Sequence, residues 1–195
     1  MPERCAFCNI AATNPPASFS EHGPKTDISA SADASEPTAF MILSTEHVMA
    51  FMDIMPLTRG HVLVAPRRHY EKLGDMGVLV GQEIGKWLPI LSRVVNKVVF
   101  GEDPDRHWNV VQNNGARAAQ VVPHVHFHII PRPVTDGLHK PGFAMFGRGQ
   151  RSELDDEEGE ELSLAMRVEM VEEIQRIQRE EGIDLSIDST DRGKL

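Results

Sequence analysis

The stretch His124-Val125-His126-Phe127-His128-Ile129-Ile130 sets three imidazoles at strict alternation. Side chains on a strand point alternately to its two faces, so the histidines form a row on one side while Val125, Phe127 and Ile129 enter a core on the other. Two chemistries suit such a row. The first is metal binding, since His-x-His on a strand presents a zinc pair. Same-face positions are about 6.6 Å apart, which separates the outer rings by about 13 Å. Zinc–nitrogen bonds of about 2.0–2.1 Å can hardly converge from that row, so at most one or two of the three bind metal. The second is nucleophilic catalysis. A neutral central imidazole attacks phosphorus and forms a phosphohistidine-type intermediate, while its neighbours fix its tautomer and protonate the leaving group. A separate pair, Cys5 and Cys8, supplies the only cysteines, spaced C-x-x-C. In a reducing compartment that spacing suits half of a zinc site, with a redox dithiol as the other reading.

Elements must hold these groups. Short apolar, partly β-branched stretches at 40–44, 48–54 and 61–65 predict antiparallel strands, with Arg59-Gly60 turning the chain between the last two. Between Asp75 and Phe100, Val80, Ile84, Trp87, Leu88, Leu91, Val94, Val95 and Val98 fall on one helical face, weakened or kinked by Gly77, Gly81, Gly85 and Pro89. Strands resume at 108–112 and 121–130, separated by the loop Asn113-Asn114-Gly115-Ala116-Arg117. A last amphipathic helix over about 154–181 carries Leu162, Met166, Val168, Met170, Val171, Ile174 and Ile177 near one face.

The 195 residues and 21.7 kDa fit one domain with appendages, and 41% apolar with 25% charged residues is ordinary globular usage. The net charge of −9 is concentrated: residues 153–181 hold twelve acidic and three basic side chains, and the rest is balanced. That excludes a chain-wide basic field for nucleic acid or anionic lipid, and the acidity is most simply a solvated helix face. Residues 13–39 hold four prolines, five serines and five alanines, with Phe19 and Ile28 as the only large apolar side chains. Such a stretch reads as a loose insertion, because it buries too little surface to offset its ordering entropy. No apolar run approaches the roughly 18–20 residues of a membrane span, and MPERCAFC lacks a signal-peptide layout, so a soluble intracellular protein is expected.

HVHFHII fits, position by position, the signature His-φ-His-φ-His-φ-φ of the histidine-triad (HIT) family, φ being apolar. AFMDIMPLTRGHVLVAPRRHYEKL likewise resembles the family's strand-turn-strand nucleotide pocket, and VVQNNGARAAQVVPHVHFHIIPR its catalytic strands. The resemblance covers about residues 40–132. It implies an α+β fold, an antiparallel five-stranded sheet with a long packed helix plus a C-terminal helix, often joined to a second copy as a homodimer. The chain then divides into a zinc-ligand segment at 1–12, the insertion at 13–39, the catalytic domain at 40–150 and an acidic helix and tail at 151–195.

By the same resemblance His126 is the nucleophile, His128 contacts the phosphate and leaving group, and His124 and His61 complete the cluster. Asp53 is expected to accept both ribose hydroxyls, an acceptor-only role suited to a carboxylate. Asn113, Gly115 and Gln120 belong to the phosphate side, and Phe51, Ile54 and Leu63 to the base pocket or to the core. Where relatives often carry Gly-Gln-Ser or Gly-Gln-Thr, this chain reads Ala119-Gln120-Val121, without the hydroxyl. Some relatives close C-x-x-C with two histidines, which implies a structural zinc on Cys5, Cys8, His69 and His124, with His47 competing for the third position. The activity implied is that of a nucleotide hydrolase of the Hint-like branch, which cleaves the P–N bond of purine nucleoside 5′-phosphoramidates and releases AMP without a catalytic metal. A diadenosine polyphosphate hydrolase is the enzymatic rival, and a nucleotide-sensing scaffold acting through the acidic helix is the rival of another class. Cytosol or nucleus is the expected location, with no strong nucleic-acid binding.

Overall fold

A computed structural model describes residues 5–17, 39–134 and 151–185. Most of the expected insertion, 18–38, lies outside the described residues, as do 135–150 and 186–195. Five strands form one antiparallel sheet: β1 (Met41–Ser44), β2 (Val48–Met52), β3 (Val62–Pro66), β4 (Trp108–Gln112) and β5 (Phe127–Pro131), in the spatial order β1-β2-β3-β5-β4. Among the described residues three α-helices accompany it: α1 (Ala6–Thr13), α2 (Val78–Phe100) and α3 (Asp156–Glu181). The fold is the α+β sheet with long middle and C-terminal helices that the sequence predicts.

The register assigns each strand residue a face. Met52 pairs with Val62 and Val62 with Ile129; these side chains, with Ala50 and Val64, meet Ile84, Trp87, Leu91, Val94 and Val95 of α2 and Leu162, Met166 and Met170 of α3 in the main core. Phe51 pairs with Leu63 and Leu63 with His128, which puts these three on the opposite face. There a smaller core joins Met41, Met49, Phe51, Leu63 and Ala65 to Cys5 and Phe7. The histidine row thus stands on the face that α1 covers.

Each helix ends for a local reason. α2 runs through Pro89 because that residue lies on the exposed side, where the Gly85 carbonyl freed by the missing N–H meets water. It starts at Val78, not Asp75; residues 73–75 form a short 3₁₀ turn. α3 begins at Asp156, one turn-residue after the Asp155 carboxylate that accepts from the amides of Glu157 and Glu158, and its first turn is acidic as the helix dipole favours. Val168, expected on its inner face, is 50% exposed, since it is two residues from Met166 and so about 200° around the helix. α1, which the sequence reading did not predict, is tied at its C-terminal end by Arg67, whose guanidinium donates to Ala11 O, to Asn14 O at 2.7 Å and to Ser44 Oγ at 2.8 Å.

The strand expected at 121–130 is shorter. Pro123 has no amide to give a ladder, His124 N donates to Val122 O at 2.8 Å and Val125 N to Tyr70 O at 2.7 Å, so regular pairing begins only at Phe127.

Candidate active site and metal centre

His126, His128, His61 and Asp53 come together where β5, β3 and β2 present the same face. The His126 and His128 rings lie 4.8 Å apart between centroids, and His61 Nε2 is 3.0 Å from His128 Nδ1. The hydrogen bonds fix the tautomers. Only a protonated Nδ1 of His126 can donate to the His124 carbonyl at 2.7 Å, which leaves the Nε2 lone pair free. His61 Nδ1 accepts from the Leu57 amide at 3.1 Å, so its proton sits on Nε2 and points at His128 Nδ1. His128 in turn carries its proton on Nε2. Burial lowers the proton affinity of all three imidazoles, His61 well below its ordinary 6.5 and His128 to about 4.

Asp53 Oδ2 stands 3.3 Å from His61 Nδ1. Because that nitrogen already accepts from Leu57 and its ring is buried and neutral, the contact is not an ion pair in this state. Burial raises the Asp53 carboxyl above its usual range, opposed by its hydrogen bond from the Met55 amide at 2.9 Å. Asp53, His61 and His128 bring one ligand atom each within 4.8 Å of one another, but His61 Nδ1 is taken by the Leu57 amide and its Nε2–H by His128.

His124 turns to a different task. Its Nε2 donates to Pro66 O at 2.8 Å, which directs the Nδ1 lone pair at Cys5 Sγ, 3.5 Å away, and Cys8 Sγ, 3.7 Å away. Cys8 Sγ is 3.4 Å from His69 Nδ1, and the four donor atoms all lie within 4.8 Å of one another. Tetrahedral zinc with sulfur at about 2.3 Å and nitrogen at about 2.05 Å requires S···N edges of about 3.6 Å. The set therefore fits zinc in donor type and spacing. Burial, and the facing Cys5, push the Cys8 thiol up to about 11, a penalty for gathering sulfurs that a divalent cation removes. His47 lies in the β1–β2 turn, outside this group, with its carbonyl bound by Arg67 N.

The profile of the HIT domain family matches residues 34–134, just over half of the chain. The chain belongs to this family. Within it, an uncharacterized HIT-like protein of Methanocaldococcus jannaschii is 38% identical over 122 residues, covering 62% of this chain and 87% of the relative. The adenosine 5′-monophosphoramidase of Schizosaccharomyces pombe is 40% identical over 85 residues, covering 44% of this chain but only 58% of the yeast protein. A crystal structure of a zinc-bound histidine triad family protein from Mycobacterium smegmatis shares the fold, with a TM-score of 0.59, 24% identity and coverage of 86% and 94% of the two chains.

The remaining predicted positions divide within the HIT domain. Ile54 is 52% exposed on the loop after β2, where a ligand can reach it, whereas Phe51 and Leu63 are buried in the smaller core. Asn113 is half-buried just after β4. Gly115 takes φ +86°, a conformation open to glycine, and its amide donates to Gln120 Oε1 at 2.5 Å. Gln120 is buried and its Nε2 donates to Glu71 O at 2.8 Å, so both ends of its amide hold the loop and neither faces out as a phosphate contact would. Sequence reasoning missed Phe7. Its ring lies edge-on to Phe51 and to His126, each at 5.2 Å between centroids, and forms an apolar wall beside the triad. Its place between the two cysteines was the available signal, since of the two intervening residues, Ala6 and Phe7, it alone is large and apolar enough to be drawn into a core.

Proposed function

We propose that this protein is a nucleotide hydrolase that cleaves the P–N bond of purine nucleoside 5′-phosphoramidates through a nucleotidyl-His126 intermediate. The observation that carries this reading is the His126 hydrogen bond to the His124 carbonyl, which holds Nδ1–H and leaves Nε2 as a nucleophile beside His128. Nε2 attacks the α-phosphorus and the P–N bond breaks. The amine departs with a proton from His128 in its imidazolium form, which the bound phosphate anion favours. Water next attacks phosphorus, its proton returns to His128, and the P–Nε2 bond breaks to release AMP. Asp53 also lies where ribose hydroxyls would find an acceptor.

Cys5, Cys8, His69 and His124 would hold a structural zinc that fixes α1 against the sheet, and no reaction step passes through it. Support for the activity comes from the yeast monophosphoramidase relatives, which match this chain over about half of its length. AMP release from adenosine 5′-phosphoramidate and from diadenosine triphosphate, with chelator present, tests the reading. Rapid P–N cleavage that falls roughly a thousandfold or more in His126→Ala is expected. Preference for the dinucleotide would transfer the protein to the rival hydrolase class.

A further inference from the structure

The HIT match ends at residue 134, yet the chain returns to the site at 151. Leu154 N donates to Ile54 O at 2.8 Å, Arg151 Nη1 to Met55 O at 3.2 Å, and Arg59 pairs with Glu158 at 3.0 Å. Gly159 packs so closely on Phe40 that a Cβ there would lie 2.5 Å from the ring. The two hydrogen bonds and the ion pair clasp the start of α3 onto the loop 53–59, between Asp53 and His61, and the Phe40 contact seats it beside β1. The clasp delivers one guanidinium to the rim of the site.

That charge matters because the site is otherwise short of cations. His61 and His128 each accept a hydrogen bond on one nitrogen and are therefore neutral at rest, and Asp53 is acidic. The fixed positive charges felt at His61 are those of Arg151 and Arg132; the Arg132 guanidinium is half-buried and tied to Asn109 Oδ1 at 2.8 Å. Arg151 is exposed, acts on Asp53 and His128 as well, and gives a single N–H to Met55. Among the described residues, four of its five donors remain for a ligand.

We infer that Arg151 is a specificity-determining residue that selects nucleotides carrying a negative charge beyond the α-phosphorus, on the leaving-group side. This rests on the nucleotidyl-transfer reading and narrows its substrate to phosphoramidates whose amine bears an anionic group. A nucleoside diphosphate mimics that charge without depending on turnover, its β-phosphate standing where the leaving group stands.

Calorimetric titration of the zinc-loaded full chain with AMP and ADP, for wild type, Arg151→Gln and Arg151→Lys, tests the inference. Wild type is expected to hold ADP about tenfold more tightly than AMP, Arg151→Gln to lose most of that preference, and Arg151→Lys to recover part of it. In parallel, the kcat/KM ratio for the AMP amidate of glycine over that of glycine methyl ester should fall about tenfold in Arg151→Gln. An unchanged ADP/AMP ratio, or equal losses for both nucleotides, overturns the assignment. AMP binding without turnover of either amidate defeats the proposed reaction and leaves the ratio to decide Arg151; a wild type that binds neither nucleotide overturns both.

Discussion

At the scale of single residues, two imidazoles two positions apart are set to different tasks by one hydrogen bond each. His126 donates its Nδ1–H to a carbonyl and keeps a lone pair on Nε2, whereas His128 accepts a hydrogen bond from His61 Nε2–H on Nδ1 and keeps its N–H on Nε2. The same burial that suppresses their charge makes folding depend on pH. His128 has its folded value lowered to about 4 from 6.5, so the unfolded chain takes up this proton first. Its contribution to stability is complete above about pH 6.5, declines as pH falls toward 4 and is flat below, a loss of up to about 3 kcal/mol. Chemical denaturation from pH 7 to pH 4 should show a shallower decline in His128→Asn than in wild type. An equal decline in both would mean that this group does not titrate as its burial dictates.

At the scale of elements, the Cys5, Cys8, His69 and His124 cluster joins α1 to the segment that leads into β5, while Phe7, between the two cysteines, leans on His126. Cys8→Ser should therefore abolish zinc binding, read as metal per chain, and remove the effect of chelator on melting. Wild type should lose about 4 kcal/mol to chelator if free zinc had stood a thousandfold above its Kd. A Cys8→Ser protein that still binds one equivalent would exclude the Cys/His set. How far the sequence foretold these elements follows from the range of the signals. Alternation around His126 and the 3.6-residue period of α2 and α3 are local, and both were legible. α1 was not, because eight residues with one buried side chain, Phe7, carry almost no period, and its anchors Arg67 and His124 are distant in sequence. The early end of β5 was half legible: Pro123 forbade a ladder there, but Tyr70 as the partner of Val125 could not be read. Gln120 was assigned to the ligand by resemblance, whereas its two amide ends are spent on Gly115 and Glu71.

At the scale of the whole molecule, the sheet has one closed edge and one open edge. α3 runs beside β1 and is held to α2 by the buried Glu173, which pairs with Arg93 and Arg176, so much of the acidic helix is integral to the core and is not a free tail. Among the described residues β4 is the other edge, and on its helix-side face Trp108 and Val110 stay 43% and 46% exposed although their ladder partners, Pro131 and Ile129, are buried. An edge with apolar side chains and unpaired backbone groups is a template for a second chain. The homodimer implied by the family resemblance would join two copies along β4, and a charge at the centre of that seam should separate them. Val110→Lys is expected to convert a dimer into a monomer in sedimentation equilibrium, with circular dichroism unchanged because the side chain is half in water already. A wild type that sediments as a monomer, or a Val110→Lys dimer as tight as wild type, would place the association elsewhere or remove it. Since His128 lies on β5, directly beside β4, and His126 just before it, loss of the dimer should also lower turnover if the seam stiffens the catalytic strand, and leave it unchanged if each sheet holds its triad alone.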